Sequence, residues 1–148
     1  MLVAAAVALL AIALLTRGRH AAGVRASPTL TPGALNPDVT QATIGRTICV
    51  PGWTRTVRPP ASYTGELKLR QMREYGELGS PHAYQEDHFI SLELGGSPTD
   101  PRNLWPETRP RADDVDSIEN DLHAQVCSGR LSLAAAQRRE AEIKYRDG

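Results

Sequence analysis

Gly95-Gly96-Ser97-Pro98 places a chain reversal between two stretches of strand-like composition, and no other feature of the 148 residues limits the fold as much. Adjacent glycines supply the positive-φ backbone that a tight return needs. Before the turn, residues 84–94 interleave Tyr84, Phe89, Ile90, Leu92 and Leu94 with polar side chains. After it, Arg102-Asn103-Leu104-Trp105 forms a short return stopped by Pro106. The expectation is an antiparallel hairpin. Its first arm carries Asp87-His88 and its second carries Asn103, fifteen residues beyond the histidine.

Helical patterns flank the hairpin, which makes the fold class α+β. Ser62 is a plausible N-cap for a helix over residues 63–75, with Leu67, Leu69, Met72 and Tyr75 as core contacts and Gly76 at its C-terminal end. Over residues 111–128, Val115, Ile118, Leu122 and Val126 recur at steps of three and four and form one apolar stripe. Asp113, Asp116, Asn120 and His123 fall on the opposite face, with Glu119 at the border. Gly129 ends that helix. Ser132 caps a final Ala-rich helix over 133–145, whose Arg138, Arg139, Lys144 and Arg146 are expected to be exposed. Thr47-Ile48-Cys49-Val50 and Thr54-Arg55-Thr56-Val57 are β-branched, and read as short strands or as extended segments.

Residues 2–15 are uninterruptedly apolar and precede Thr16-Arg17-Gly18-Arg19. The run is short for a membrane span and fits the apolar region of a signal peptide. Residues 1–20 therefore read as a signal peptide or an N-terminal membrane anchor. Residues 21–41, rich in Pro, Ala and Thr, read as a linker, and 42–148 as one domain. The chain is expected to be exported in a bacterial-type cell, to the periplasm, the exterior or the membrane surface. An even pair of cysteines, Cys49 and Cys127, then reads as a disulfide contributing about 4 kcal/mol, the alternative being two buried thiols. Neither stands in a C-x-x-C, which argues against a thiolate zinc site.

Basic and acidic residues balance at 17 each, but Arg17, Arg19 and Arg25 precede the first acid, Asp38. Beyond residue 26 the balance is slightly acidic. Binding of nucleic acid by bulk charge alone is excluded. A local basic face remains within residues 46–73, where Arg46, Arg55, Arg58, Lys68, Arg70 and Arg73 face the single acid Glu66.

Asp87-His88, the Gly-Gly reversal, Asn103 and a polar-faced helix, in that order, resemble the HNH or His-Me finger nucleases. These are built on a ββα-metal motif, and the likeness is to small exported members whose sequence runs like DHxIxLxLGGxxxDPRNLWP. It covers residues 85–127 and, less specifically, TICVPGWTRTVRPP at 47–60. The resemblance implies an endonuclease acting on DNA or RNA with little base preference. His88 would be the general base, neutral at pH 7 from an unperturbed pKa near ~6.5. Asp87 would ligate a divalent cation, Mg²⁺ first, with Mn²⁺, Ni²⁺ or Zn²⁺ as alternatives. Asn103 would bond the loop backbone and orient the base.

The helix ligand that the family places about nine residues after the loop Asn lands here on Ala112. The expectation therefore moves along the polar face to His123 or Asn120, with Glu119 and Asp113 behind them. Ser91 also departs from the related pattern, which has Pro there. Phosphate contacts are assigned to Arg102, Arg55 and Arg58, with Arg111 as a further guanidinium. The alternative function is a noncatalytic secreted or membrane-tethered binding module on the same scaffold.

Overall fold

In the computed structural model, which describes residues 24–148, strands β1 (Tyr84–His88) and β2 (Leu104–Thr108) pair antiparallel. The register runs from Tyr84 opposite Thr108 to His88 opposite Leu104. Around them lie helices α1 (Trp53–Val57), α2 (Ala61–Glu74), α3 (Arg109–Cys127) and α4 (Leu133–Asp147). The described residues thus form an α+β fold, with a two-stranded antiparallel sheet as its only sheet. Both arms are displaced from the sequence expectation. Strand β1 ends at His88, where a turn through Leu92–Leu94 takes over, and β2 continues through Pro106, which lies opposite Glu86. Each strand of a two-stranded sheet keeps one unpaired edge, and a proline's missing N–H is tolerated there.

Residues 47–57 are neither strands nor extended. Short-range bonds, Cys49 N–H to Ile44 O at 3.0 Å and Val50 N–H to Thr47 O at 2.8 Å, fold the first part into turns. Gly52, at φ +81°, then leads into α1. Pro51-Gly52 overrides the β-branched composition, which carries weight only where a neighbouring strand exists to pack against. Helix α2 starts at Ala61, just after Pro59-Pro60, two residues before the expected start. Leu67 and Met72 are buried as expected, whereas Leu69, two positions from Leu67 and so on the other face, is exposed. Helix α3 takes Pro110 into its first turn, and α4 is capped by Ser132, whose Oγ accepts from Ala135 N–H at 3.3 Å.

The segment expected to be a linker is, from Val24 onward, part of the packed fold. Val24, Ala26 and Val39 are core residues and Thr31 is fully buried. Ala26 N–H donates to Lys144 O at 3.2 Å, Ser27 N–H to the Tyr75 hydroxyl at 3.0 Å, and Leu133 N–H to Gln41 Oε1 at 2.7 Å. Leu35 forms an isolated antiparallel bridge to Gly96. The segment has no hydrophobic period because it is not an element; it covers the core as an irregular strap. The apolar run at 2–15 lies outside the described residues. No helix among the described residues is long and apolar enough to cross a membrane.

Trp105, Phe89, Leu94, Leu104 and Val126 are the large buried side chains of the core, which joins hairpin, α3 and α4. Cys49 and Cys127 form a disulfide that ties the turn before α1 to the last turn of α3, 78 residues away in sequence. In the chain-entropy account a loop of that size is stabilised by about 4 kcal/mol. Urea unfolding of oxidised and reduced protein in metal-free buffer is expected to differ by that order. Coincident curves would show that the bridge does not brace the fold.

Candidate functional site

Asn103 joins the ends of the hairpin loop. Its Oδ1 accepts from Ile90 N–H at 2.9 Å, and its Nδ2 donates to Ile90 O at 2.9 Å and Ser97 O at 3.0 Å. The side chain is fully buried and its polar atoms are all engaged, as a buried amide requires. The two glycines make this possible in different ways. Gly95 sits at φ +77°, and a Cβ on Gly96 would lie 1.7 Å from Ile90 O and 2.6 Å from Asn103 Nδ2. Only a hydrogen fits beneath the Asn103 bridge.

That bridge aims the end of β1 into a cavity of about 250 Å³ lined by Arg58, Gln85, Asp87, His88, Ser91, Leu92, Glu93, Asp116, Glu119 and Asn120. His88 Nε2 donates to Pro98 O at 3.1 Å. A carbonyl can only accept, so Nε2 carries the proton and Nδ1 keeps a free lone pair. Burial pushes the imidazole below its ordinary pKa, aided by Arg58 and Lys144, while the Pro98 bond and Asp87 pull the other way. His88 is therefore neutral at pH 7.

Behind the cavity wall stands Lys144, fully buried although it was expected on the exposed face of the last helix. Its Nζ donates to His88 O at 2.6 Å, Glu119 Oε1 at 2.6 Å and Asp87 Oδ2 at 3.2 Å, and lies 3.3 Å from Glu140 Oε1. Burial opposes its charge, but Asp87, Glu119 and Glu140 hold its pKa well above the usual value. One ammonium cannot keep three buried carboxyls ionised. Burial would raise Asp87, yet the positive charge of Lys144, with His88 and Glu107 beside it, brings it below the usual carboxylate range. Burial drives Glu119 and Glu140 upward despite Lys144.

Glu107, fully buried on β2, is pushed up to about 8 by burial and by the charge of Asp87. No basic or hydroxyl donor reaches its oxygens. With Asp87 held below the usual carboxylate range and Glu107 held above it, the proton of this carboxyl pair sits on Glu107.

The cavity unites Asp87, His88, Asn120 and Arg58 from the sequence-based expectation, with Glu119 from its second rank. Asn103 acts from beneath through the loop. His123 is elsewhere. Its Nε2 bonds Ile48 O at 2.9 Å beside the disulfide, and it borders a second cavity with Glu93 and residues 48–54. Of the other arginines, Arg102 is exposed and paired with Asp100 at 2.6 Å, Arg111 donates to Gly148 O, and Arg55 does not line the cavity. Asp113 is also outside it. Sequence reasoning missed Lys144, Glu107, Glu93 and the cavity-facing role of Ser91. Periodicity marks which face of a helix is apolar, and nothing in it marks a lysine that a core will enclose. No protein-family model, curated protein or solved structure matches the chain.

The oxygens around the cavity suit a hard divalent cation. Asp116 is raised by burial and by Asp87 and Asp113, so these carboxyls compete for too little positive charge. Asn120 Nδ2 is committed to Asp116 O at 2.7 Å, which leaves its Oδ1 free. Asp87 Oδ1 is held only by Gln85 Nε2 at 3.4 Å, and the buried Ser91 Oγ has no partner.

Two expectations follow. Lys144→Met leaves buried carboxylates without their cation and is expected to cost about 3–5 kcal/mol in urea unfolding; a change below 1 kcal/mol would show the cluster to be self-sufficient. The second concerns pH. The unfolded chain gives up the Glu107 proton near 4.5 and the folded chain holds it to about 8, so this group's contribution to stability falls as pH rises through that window. From pH 6.5 to 8 the melting temperature is expected to fall, and to fall less in Glu107→Gln, whose amide does not titrate. An unchanged slope would place Glu107 in its ionised form throughout.

Proposed function

We propose that the protein is a metal-dependent endonuclease of the ββα-metal class, hydrolysing phosphodiester bonds of DNA or RNA with little base preference. The observation that carries this reading is a neutral His88 with a free Nδ1 lining the same oxygen-rich cavity as Asp87 and Asn120. Hairpin followed by α3 supports the same class. His88 Nδ1 takes a proton from water. Pro98 O holds the ring, and Asn103 holds the loop to which both belong, so the base is oriented before substrate arrives. Asp87 and Asn120 would hold the cation, with Asp116 and Glu119 next to them. When bound, the cation polarises the scissile phosphate and stabilises charge on the leaving oxygen. Arg58, the one cationic side chain among the described residues of the cavity wall, would contact phosphate oxygens. The acidic remainder of the wall repels phosphate unless a cation neutralises it. The products implied by the resemblance carry 5′-phosphate and 3′-hydroxyl ends.

One observation favours a noncatalytic binding module instead: Lys144 already occupies Asp87 Oδ2. A cleavage assay decides between them, with plasmid DNA and RNA, Mg²⁺ or EDTA, and the full-length chain. His88→Ala is expected to lower the rate by roughly 10²–10⁴-fold. Asn120→Ala is expected to raise the metal concentration needed for half-maximal activity. Wild-type activity should fall only below pH 6.5, because the depressed pKa of His88 keeps it neutral above that value. No cleavage with any divalent cation would favour the binding module. Undiminished cleavage by His88→Ala would remove it from the mechanism.

A further inference from the structure

The second cavity, of about 170 Å³, lies across Glu93 from the first and is walled by residues 48–54, Glu93 and His123. Its chemistry is different. Cys49 Sγ, Cys127 Sγ and a ring nitrogen of His123 lie within 4.8 Å of one another. His123 and Cys127 are one turn apart on α3, and His123 Nε2 is 3.3 Å from Cys127 Sγ. On the other side of the ring, Glu93 Oε2 lies 4.0 Å from Nδ1 and is buried without a hydrogen-bond partner. An imidazole that binds metal through one nitrogen almost always donates its other N–H to a carboxylate, a backbone carbonyl or water, and Glu93 Oε2 stands on that side of the ring, 4.0 Å from Nδ1.

We propose that reduction of the Cys49–Cys127 bridge creates a zinc site composed of Cys49, Cys127 and His123, with Glu93 orienting the histidine. A dithiol reductant supplies two electrons and two protons. The S–S bond breaks, two thiols form, and the reductant leaves as its own disulfide. Zinc binding then displaces both thiol protons. Freed sulfurs separate to non-bonded contact, close to the roughly 3.8 Å edge of a tetrahedron with Zn–S near ~2.3 Å. His123 gives up its bond to Ile48 O and carries its proton on Nδ1, facing Glu93 Oε2. Water completes the coordination. Two thiolates and an imidazole select zinc over the hard cations that suit the first cavity.

The ligands would converge from the turn before α1 and the end of α3, a convergence that no local C-x-x-C marks. Zinc then ties together the same two points as the disulfide, so the fold is braced in reducing surroundings as well as oxidising ones.

The test uses the full-length chain, reduced with dithiothreitol and desalted anaerobically, then titrated with Co²⁺ and with Zn²⁺ against a chromophoric chelator. Reduced protein is expected to bind one ion per chain, with a thiolate-to-cobalt charge-transfer band and a melting temperature raised by zinc. Oxidised protein shows neither. Glu93→Gln is expected to weaken zinc binding about 10–100-fold, and His123→Ala by at least as much, with far-ultraviolet circular dichroism checking that each variant is folded. Three results would overturn the proposal. These are absence of the thiolate band, zinc affinity unchanged in both variants, and zinc binding to a reduced chain that stays unfolded. Because Glu93 also touches the first cavity, Cys127→Ser serves as the variant remote from it; it should lose the band and the zinc-dependent melting shift.

Discussion

Lys144 is the charge on which the rest of the site depends. Its ammonium has no access to water, so its solvation must come entirely from protein, through His88 O, Asp87, Glu119 and Glu140. Those partners come from β1, α3 and α4. A buried charge is tolerable only with such a shell complete, so the three elements cannot shift independently. The same arithmetic sets the protonation of the cluster. One positive charge stabilises one carboxylate well, and Asp87 is that carboxylate, while Glu107, Glu119 and Glu140 are raised and keep their protons more readily.

The opposite side of the hairpin is held by a neutral device. Asn103 replaces backbone pairing where β1 stops, taking both the N–H and the carbonyl of Ile90. Gly96 leaves room for it. His88 is therefore positioned from below by the loop and from behind by Lys144, which bonds its carbonyl. Its ring remains free to act only through Nδ1.

Glu93 separates two cavities whose donors differ in kind. One is lined by carboxylates, two amides, a hydroxyl and the His88 imidazole, and the other has the disulfide sulfur of Cys49 beside the His123 imidazole. This division accounts for His123. On a helical wheel it shares a face with Asp116 and Asn120, but a turn beyond Asn120 brings it level with Cys127 and the segment at 48–54 instead of Asp87.

The hairpin, the three longer helices and the disulfide partners were legible in the sequence, as was the placement of Asp87-His88 at the end of one arm and Asn103 at the start of the other. Each rests on local chemistry: glycines that permit a reversal, a 3.6-residue period, caps, and a pair of cysteines. What the sequence by itself determined is thus the order of the hairpin and the longer helices, and which side-chain types could do acid–base or ligand chemistry. The tertiary structure alone decided that Lys144 is enclosed, that residues 24–41 cover the core, that Pro106 stays in a strand, and that Asn120 and His123 face different cavities. Those outcomes depend on which surfaces meet across tens of residues. No local period or propensity encodes the neighbour that turns an exposed lysine into a buried counter-ion.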